Sequence, residues 1–306
     1  MKKLIAVFLA VALIVTAGCT ASFLEDKNDG VIAVSFYPIY IFTANLVDGI
    51  DGLRVTCMAE QSTGCLHDYS LTARDAKLLN DADVFVINGA GLESFLSDIA
   101  EAAEELTVID SSEGIELICS HHHGEEDEEK EHHSHSHENN AHIWLSVENA
   151  KKQVLNIRNG LLEIYPQYES RINDNYTGYI ERLDALSKEL EKAYENVSGE
   201  KIITFHAAYE YMAVESGLEI IECIESDEGG EPSAKELAHL CDVIPENDVN
   251  ALFVEPYYTG SAANILAEQT GAKIYVLNPV TEGEDTLTAY ESIMKENIQT
   301  ILKAVS

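Results

Sequence analysis

The chain has 306 residues, of which 46% are hydrophobic, so it contains enough apolar side chains to form one or two domains with real cores. Its 19 Lys and Arg residues stand against 54 Asp and Glu residues, which gives a formal net charge of −35. This charge excludes a nucleic-acid binder, which needs a basic surface. It suits a soluble protein or one whose ligands are cations.

The first residues predict export from the cytoplasm. Two lysines precede an apolar run over residues 4–15, which is shorter than the ~20 residues of a membrane span. The run ends in Thr-Ala-Gly-Cys at Cys19, and small residues directly before a cysteine resemble a bacterial lipobox. We therefore expect a signal peptide over residues 1–18, a lipid on Cys19 that anchors the chain outside the bacterial cell membrane, and a polar tether over residues 19–29. An ordinary secretion signal with a chance cysteine is the alternative.

From residue 30 onward, short apolar runs alternate with helical patterns. Thr72 and Asp75 have the spacing of a capping box at the start of one of these helices. Alternation of strands and helices at this rhythm predicts crossover connections and a mostly parallel sheet. The predicted strands are 31–36, 53–59, 84–89 and 107–110, and the predicted helices run from Pro38 towards Gly52, over 71–82 and over 93–106.

Residues 120–140 interrupt this alternation with a segment that has almost no apolar side chains. Seven of the chain's 11 histidines and seven carboxylates lie in it. Such a segment cannot form a packed core, so we expect a disordered loop inserted in an N-terminal lobe that spans residues 30–144. The histidines of this loop are His121, His122, His123, His132, His133, His135 and His137.

The second half of the chain repeats the α/β pattern after a long helical stretch. Residues 145–198 have no strand signal, and Pro166 divides them into two predicted helices because proline is tolerated at a helix start. The remaining residues, 199–306, form the predicted C-terminal lobe. The fold class is therefore α/β, with two four-stranded lobes joined by a long rigid helix and a ligand in the cleft between them. Strands are predicted over 201–206, 218–224, 251–256 and 273–278, and helices near 208–216, 233–242, 261–270 and 287–304.

Outside the acidic loop the sequence has four histidines, His67, His142, His206 and His239. The first three follow predicted strands or the acidic loop, so we expect them to face the cleft. Three neutral imidazoles fill three corners of a zinc tetrahedron, whereas manganese prefers carboxylates. His239 lies inside a predicted helix, where a lone histidine is usually structural or solvent-facing. Three unrelated histidines are the alternative.

His67, His142 and His206 lie in segments that resemble the solute-binding lipoproteins of zinc and manganese ABC importers (the metal-binding cluster A-I family). The segments are GCLHDYSLTARDAKLLNDADVFVINGAGLE, HIWLSVENA, TFHAAYEY and VLNPV…AYESIMKENIQTIL, in the family's order over essentially the whole mature chain. The resemblance implies two lobes that clamp one metal ion through His67, His142 and His206. His206 favours zinc, because manganese members tend to have glutamate at that position.

Asn278 departs from the family pattern, which usually reads Leu-Asp-Pro near the fourth ligand where this chain has Leu-Asn-Pro. Either Asn278 lies beside the ion while water takes the fourth position, or a nearby acid such as Glu282 binds it. A neutral amide is a weaker ligand than a carboxylate and further disfavours manganese. We therefore expect Zn²⁺, with Mn²⁺ as the alternative.

The histidine-rich loop has its own predicted role. Clustered imidazoles and carboxylates on a flexible loop bind zinc weakly and reversibly, so the loop is predicted to collect zinc near the cleft or to sense its abundance. A solvated insertion with no selected role is the alternative.

The resemblance implies a monomeric binding protein, not an enzyme, that delivers zinc to an ABC permease and its ATPase. The chain has no GxxxxGK[ST] loop, so ATP hydrolysis is assigned to the partners. One alternative is a surface adhesin of the same family. The alternative from another class is a three-histidine zinc hydrolase with Glu60 or Asp68 as general base.

Overall fold

The computed structural model describes residues 30–59, 66, 69–95, 106–119, 139–224 and 232–306, and these contain two four-stranded sheets in which every strand pairing is parallel. Each strand agrees with its prediction to within two residues at either end. The strands are β1 (Gly30–Val34), β2 (Leu53–Cys57), β3 (Val84–Ile87), β4 (Thr107–Asp110), β5 (Lys201–Thr204), β6 (Glu219–Cys223), β7 (Ala251–Val254) and β8 (Lys273–Val276).

The two sheets have the same topology. Their strand orders are β2-β1-β3-β4 and β6-β5-β7-β8. The inner strands β3 and β7 are buried along their whole length, as expected of parallel strands that are covered on both faces. In both sheets the chain leaves neighbouring inner strands at the same edge, which places the following loops side by side.

The N-terminal lobe contains helices α1 (Tyr37–Val47) and α2 (Ala73–Asp81) among its described residues. The predicted capping box of α2 is confirmed. The Thr72 hydroxyl accepts a hydrogen bond from the Asp75 amide at 3.3 Å, and the Asp75 carboxylate accepts one from the Thr72 amide at 2.8 Å. The helix predicted over 93–106 is mostly outside the described residues, since 96–105 are not among them.

The linking segment consists of α3 (Val147–Ile164), a 3-10 turn (Pro166–Tyr168) and the 26-residue helix α4 (Glu169–Tyr194), so Pro166 divides the two helices as predicted. The buried residues of α4 recur at helical spacing and form one apolar stripe. With this stripe α4 packs against α1 of the first lobe and against the last helix of the second lobe. The stripe consists of Ile172, Tyr179, Leu183, Leu186 and Leu190.

The C-terminal lobe contains α5 (Glu210–Ser216), α6 (Ala234–Glu246), α7 (Ala262–Thr270) and α8 (Ala289–Val305). Helix α6 continues past the predicted end at residue 242 and includes Pro245 in its last turn. Leu240 and Ile244 are buried on this stretch, and their packing extends the helix.

One hydrophobic cluster includes residues of both lobes and of the linking helices, and a second cluster lies within the C-terminal lobe. The lobes therefore meet across packed side chains as well as through α4. Among the described residues, no helix combines the length and the apolar character that a membrane crossing requires.

Candidate metal centre

Two histidines from different lobes meet between the sheets. His142 directly precedes a 3-10 turn at Ile143–Leu145, and His206 follows the end of β5. Their Nε2 atoms are 2.9 Å apart, their ring centroids are 4.7 Å apart, and the rings are perpendicular. Both residues are buried, with 2% and 8% of their surface exposed.

The distance between the two Nε2 atoms is close to that of two imidazole nitrogens on one metal ion. Zinc–imidazole bonds are about 2.0–2.1 Å long, so two nitrogens on a tetrahedral ion lie about 3.4 Å apart. The Nε2 atoms would have to separate by roughly half an ångström to admit the ion. Neutral imidazole nitrogens are suitable ligands for zinc, copper, iron and nickel.

Glu255 places a carboxylate beside this pair. It directly follows β7, which is the neighbour of β5 in the sheet, so both strands end at the same edge. Its Oε1 atom is 3.9 Å from His206 Nε2. Glu255 was not among the site residues predicted from the sequence. The available signal was an acidic residue directly after a buried apolar strand, one residue closer to the end of its strand than His206 is to the end of β5.

Aromatic rings pack against His142. The Trp144 ring centroid is 5.2 Å from that of His142, and Phe36 packs edge-on against Trp144 at 4.9 Å. The Trp144 indole donates a hydrogen bond to the Pro279 carbonyl at 2.7 Å, which ties this segment to the second lobe. These rings keep the His142 side of the centre apolar.

Residues 87–93, with the sequence INGAGLE, form hydrogen bonds that hold the chain just before His142. The Asn88 side chain donates to the Ala141 carbonyl at 2.9 Å. Glu93 is buried, and its two carboxylate oxygens accept hydrogen bonds from the amides of Asn88 and Gly89 at 2.8 and 3.0 Å. Burial raises the pKa of the Glu93 carboxyl to about 7, and these amide hydrogen bonds oppose the rise.

Asn278 and Glu282 belong to a loop that their own hydrogen bonds stabilise. The Asn278 side-chain oxygen accepts from the Val280 amide at 2.8 Å, and its side-chain nitrogen donates to the Glu282 carbonyl at 3.0 Å. The Glu282 carboxylate is hydrogen-bonded to the Tyr257 hydroxyl, and this bond raises the pKa of Tyr257. The structure thus gives Asn278 a role in shaping the loop.

Most of the other predicted site residues fall outside the part of the chain that the structure describes. His67 and the seven histidines of the acidic loop are outside the described residues, as are Cys19, Glu60 and Asp68. Within the described residues, no group of three or more His, Cys, Asp or Glu side chains is arranged to hold a metal ion, so the described part of the centre is the His142–His206 pair with Glu255 beside it. His239 lies in α6 with its side chain 61% exposed, in agreement with a solvent-facing position.

Comparison with known proteins identifies the family. The model of the family described as "Zinc-uptake complex component A periplasmic" matches residues 32–304, which is most of the chain. The protein belongs to this zinc-uptake component A family. Family membership agrees with the resemblance seen in the sequence, and it accounts for the pairing of two similar α/β lobes.

Named relatives are similar to this chain along most of its length. The zinc-binding protein AdcA of Streptococcus pyogenes serotype M3 is 31% identical over 286 residues, which cover 88% of this chain but 55% of the relative. The high-affinity zinc uptake system protein ZnuA of Bacillus subtilis is 30% identical over 306 residues, which cover 96% and 94%. A crystal structure of ZnuA has a TM-score of 0.76 at 27% identity and covers 90% of this chain and 99% of its own. The chain thus spans about half the length of the streptococcal relative.

Proposed function

We propose that this protein captures Zn²⁺ outside the cytoplasm and delivers it to an ABC permease driven by an ATPase. The observation that carries the proposal is the buried pair of imidazoles from two lobes, His142 and His206, whose Nε2 atoms lie 2.9 Å apart. Imidazole ligands favour zinc over manganese. The family description and the relatives named for zinc binding and zinc uptake support the same conclusion.

The proposed ligands are His67, His142 and His206. His67 was predicted to lie in the loop that follows the strand observed as β2, whose partner in the sheet is β1. For the fourth position we propose a carboxylate or water. Glu255 is within 4 Å of His206 Nε2, whereas Glu282 would have to release Tyr257 before it could bind.

We also propose a lipid on Cys19 as the membrane anchor and a zinc-collecting role for the histidine-rich loop. The described residues that flank the loop, Cys119 and Asn139, pair in an antiparallel bridge, and Asn139 is three residues before His142. Zinc held by the loop would therefore be close to the cleft. Removal of residues 121–138 is expected to lower the total zinc bound and to leave the tight site in place.

Binding and delivery, without catalysis, are the proposed activity. The family is described as a component of an uptake complex, which supports transport. The hydrolase alternative requires turnover, so carbon dioxide hydration or ester cleavage that disappears in His206→Ala would revive it. The adhesin alternative stays a prediction.

A competitive titration of zinc against manganese tests the proposal. Residues 28–306 without 121–138 are expected to bind one tight zinc equivalent that manganese does not displace. His206→Ala should abolish this equivalent because it removes one of the two facing imidazoles. The matched control is His239→Ala, which removes an exposed imidazole from the same lobe and should leave the titration unchanged.

Two results would contradict the proposal. Displacement of zinc by an equal concentration of manganese would overturn the assignment of the metal. A tight equivalent that survives both His142→Ala and His206→Ala would place the site elsewhere in the molecule.

A further inference from the structure

The Asn140 side chain bridges the two segments that carry the histidine pair. Its Oδ1 atom accepts hydrogen bonds from the backbone amide and from Nδ1 of His142, at 2.9 and 2.8 Å. Its Nδ2 atom donates to the Ala207 carbonyl at 2.7 Å and to Glu210 Oε2 at 2.9 Å. Asn140 is 2% exposed, and Ala207 directly follows His206.

The partners fix the orientation of this amide. Both groups near Nδ2 are acceptors, a carbonyl and a carboxylate, so a rotated amide would place Oδ1 against two oxygens. Oδ1 therefore faces His142 and can only accept. His142 must carry its hydrogen on Nδ1, which leaves the lone pair on Nε2, the atom that faces His206.

The backbone carbonyl of Asn140 adds a second contact between the lobes, at the base of the histidine-rich loop. Tyr211 of α5 donates its hydroxyl hydrogen to the Asn140 carbonyl at 2.8 Å and accepts one from the Ile118 amide at 3.2 Å. Both ends of the loop are thus held on the second lobe. A separation of the two histidine segments that exceeds the reach of a hydrogen bond has to break the bonds from Asn140 to Ala207 and Glu210.

We propose that Asn140 is a positioning residue that presents Nε2 of His142 to the cation and whose amide bonds to Ala207 and Glu210 set the rate at which the cation leaves. This inference rests on the proposed function, because it concerns the same centre. It assigns to Asn140 both the orientation of the His142 ring and part of the contact between the lobes.

The variants separate the accepting side of the amide from its donating side. Asn140→Asp keeps an acceptor for His142 but places a carboxylate oxygen against the Ala207 carbonyl and the Glu210 carboxylate. Adding Glu210→Gln supplies an amide donor for that oxygen. Asn140→Leu removes both sides at similar volume and leaves His142 Nδ1 without this acceptor.

The first readout is the rate at which the full-length chain releases zinc into a chelator. The variant His206→Ala lacks the tight site and gives the background rate of release from the histidine-rich loop. Asn140→Asp is expected to release zinc about 10- to 100-fold faster, because it removes two hydrogen bonds between the lobes, each worth up to about tenfold in rate. Glu210→Gln alone should have a smaller effect. Asn140→Asp/Glu210→Gln should return most of the way to the rate of Glu210→Gln.

The second readout is the tautomer of His142, from ¹⁵N NMR of the zinc-free chain. The wild-type ring should be protonated at Nδ1, and Asn140→Leu should lose this preference. Unchanged release rates and an unchanged tautomer, with only a lower melting temperature, would overturn the inference. If the wild-type chain binds no zinc the proposed function fails, and the tautomer still decides whether Asn140 orients His142.

Discussion

Glu93 is a buried carboxyl whose protonation influences the stability of the N-terminal lobe. Its two oxygens hold the amides of Asn88 and Gly89, and Asn88 in turn holds the segment before His142. Burial raises the Glu93 pKa to about 7, well above the usual value of 4.5. The folded state therefore binds this proton more readily than the unfolded chain at any pH between these values.

We expect the free energy of unfolding to fall between pH 4.5 and 7 because of Glu93. The sign follows from the raised pKa: the contribution is fully present below pH 4.5 and is lost as the pH rises through 7. The loss amounts to roughly 3 kcal/mol, since a tenfold change in proton affinity corresponds to about 1.4 kcal/mol. Urea unfolding of the zinc-free wild type and of Glu93→Gln at several pH values measures it. Parallel pH profiles for the two proteins would refute this assignment.

At the scale of residues, the sequence predicted which histidines lie near the cleft better than it predicted which side chains contact them. His206 could be predicted because loops that follow parallel strands meet at one edge of a sheet, and His142 was predicted from its place directly after the acidic loop. Glu255 had a sequence signal, an acidic residue directly after an apolar strand, but its contact with His206 depends on β7 lying next to β5. Asn140 required knowledge of contacts with Ala207 and Glu210, which are 67 and 70 residues away.

At the scale of elements, two helix glycines differ in what surrounds them. A Cβ atom at Gly160 of α3 would lie 2.6 Å from Cδ1 and Cγ1 of Ile109, on strand β4. Among the described residues, a Cβ atom at Gly178 of α4 would have no neighbour within 4 Å. Close packing of α3 on the sheet therefore depends on glycine at the first position and not at the second.

We expect alanine substitutions at these two glycines to have opposite effects on stability. Gly160→Ala should destabilise the protein by about 1–3 kcal/mol because the methyl group overlaps a buried isoleucine. Gly178→Ala should stabilise it by about 0.5–1 kcal/mol because alanine loses less backbone entropy in a helix. Urea unfolding of both variants provides the measurement, and each serves as the control for the other. Equal stabilisation by both would mean that α3 moves away from β4 at no cost.

Elements with strong local signals were the most predictable. The capping box of α2 and the break at Pro166 are set by a few adjacent residues, and both were predicted correctly. The end of α6 was placed too early, because burial of Ile244 outweighs the local cost of Pro245 in the last turn. The 3-10 turn at Ala207–Tyr209 had no local signal in the sequence.

At the scale of the whole molecule, helix α4 joins the two lobes through Arg182. The guanidinium donates to Glu291 of α8 at 2.8 Å and to the Leu287 carbonyl at 3.2 Å, and it also binds the Asn45 side chain of α1. Glu291 is 8% exposed, and its Oε2 atom has no hydrogen-bond partner among the described residues. The Arg182 side chain thus bonds to elements of both lobes.

We expect Arg182→Met to destabilise the protein by about 1–3 kcal/mol, because it leaves the buried Glu291 carboxylate without its cation, although the Arg182 side chain itself is partly exposed. Arg182→Met/Glu291→Gln should recover part of this loss, since the unpaired charge is removed. The control is Lys295→Met, which breaks an exposed ion pair between the same two helices, Glu189 of α4 with Lys295 of α8. That change should cost less than about 1 kcal/mol.

Small-angle scattering of the same variants tests whether the Arg182 junction limits the movement of the lobes. A stiff linking helix predicts a small difference between the zinc-free and zinc-bound forms of the wild type. If Arg182 contributes to this stiffness, Arg182→Met should enlarge the difference and Lys295→Met should not. An unchanged difference in both variants, with stability lost only in Arg182→Met, would mean that the shared hydrophobic cluster alone sets the spacing of the lobes. Arg182 would then stabilise the fold without controlling access to the metal centre.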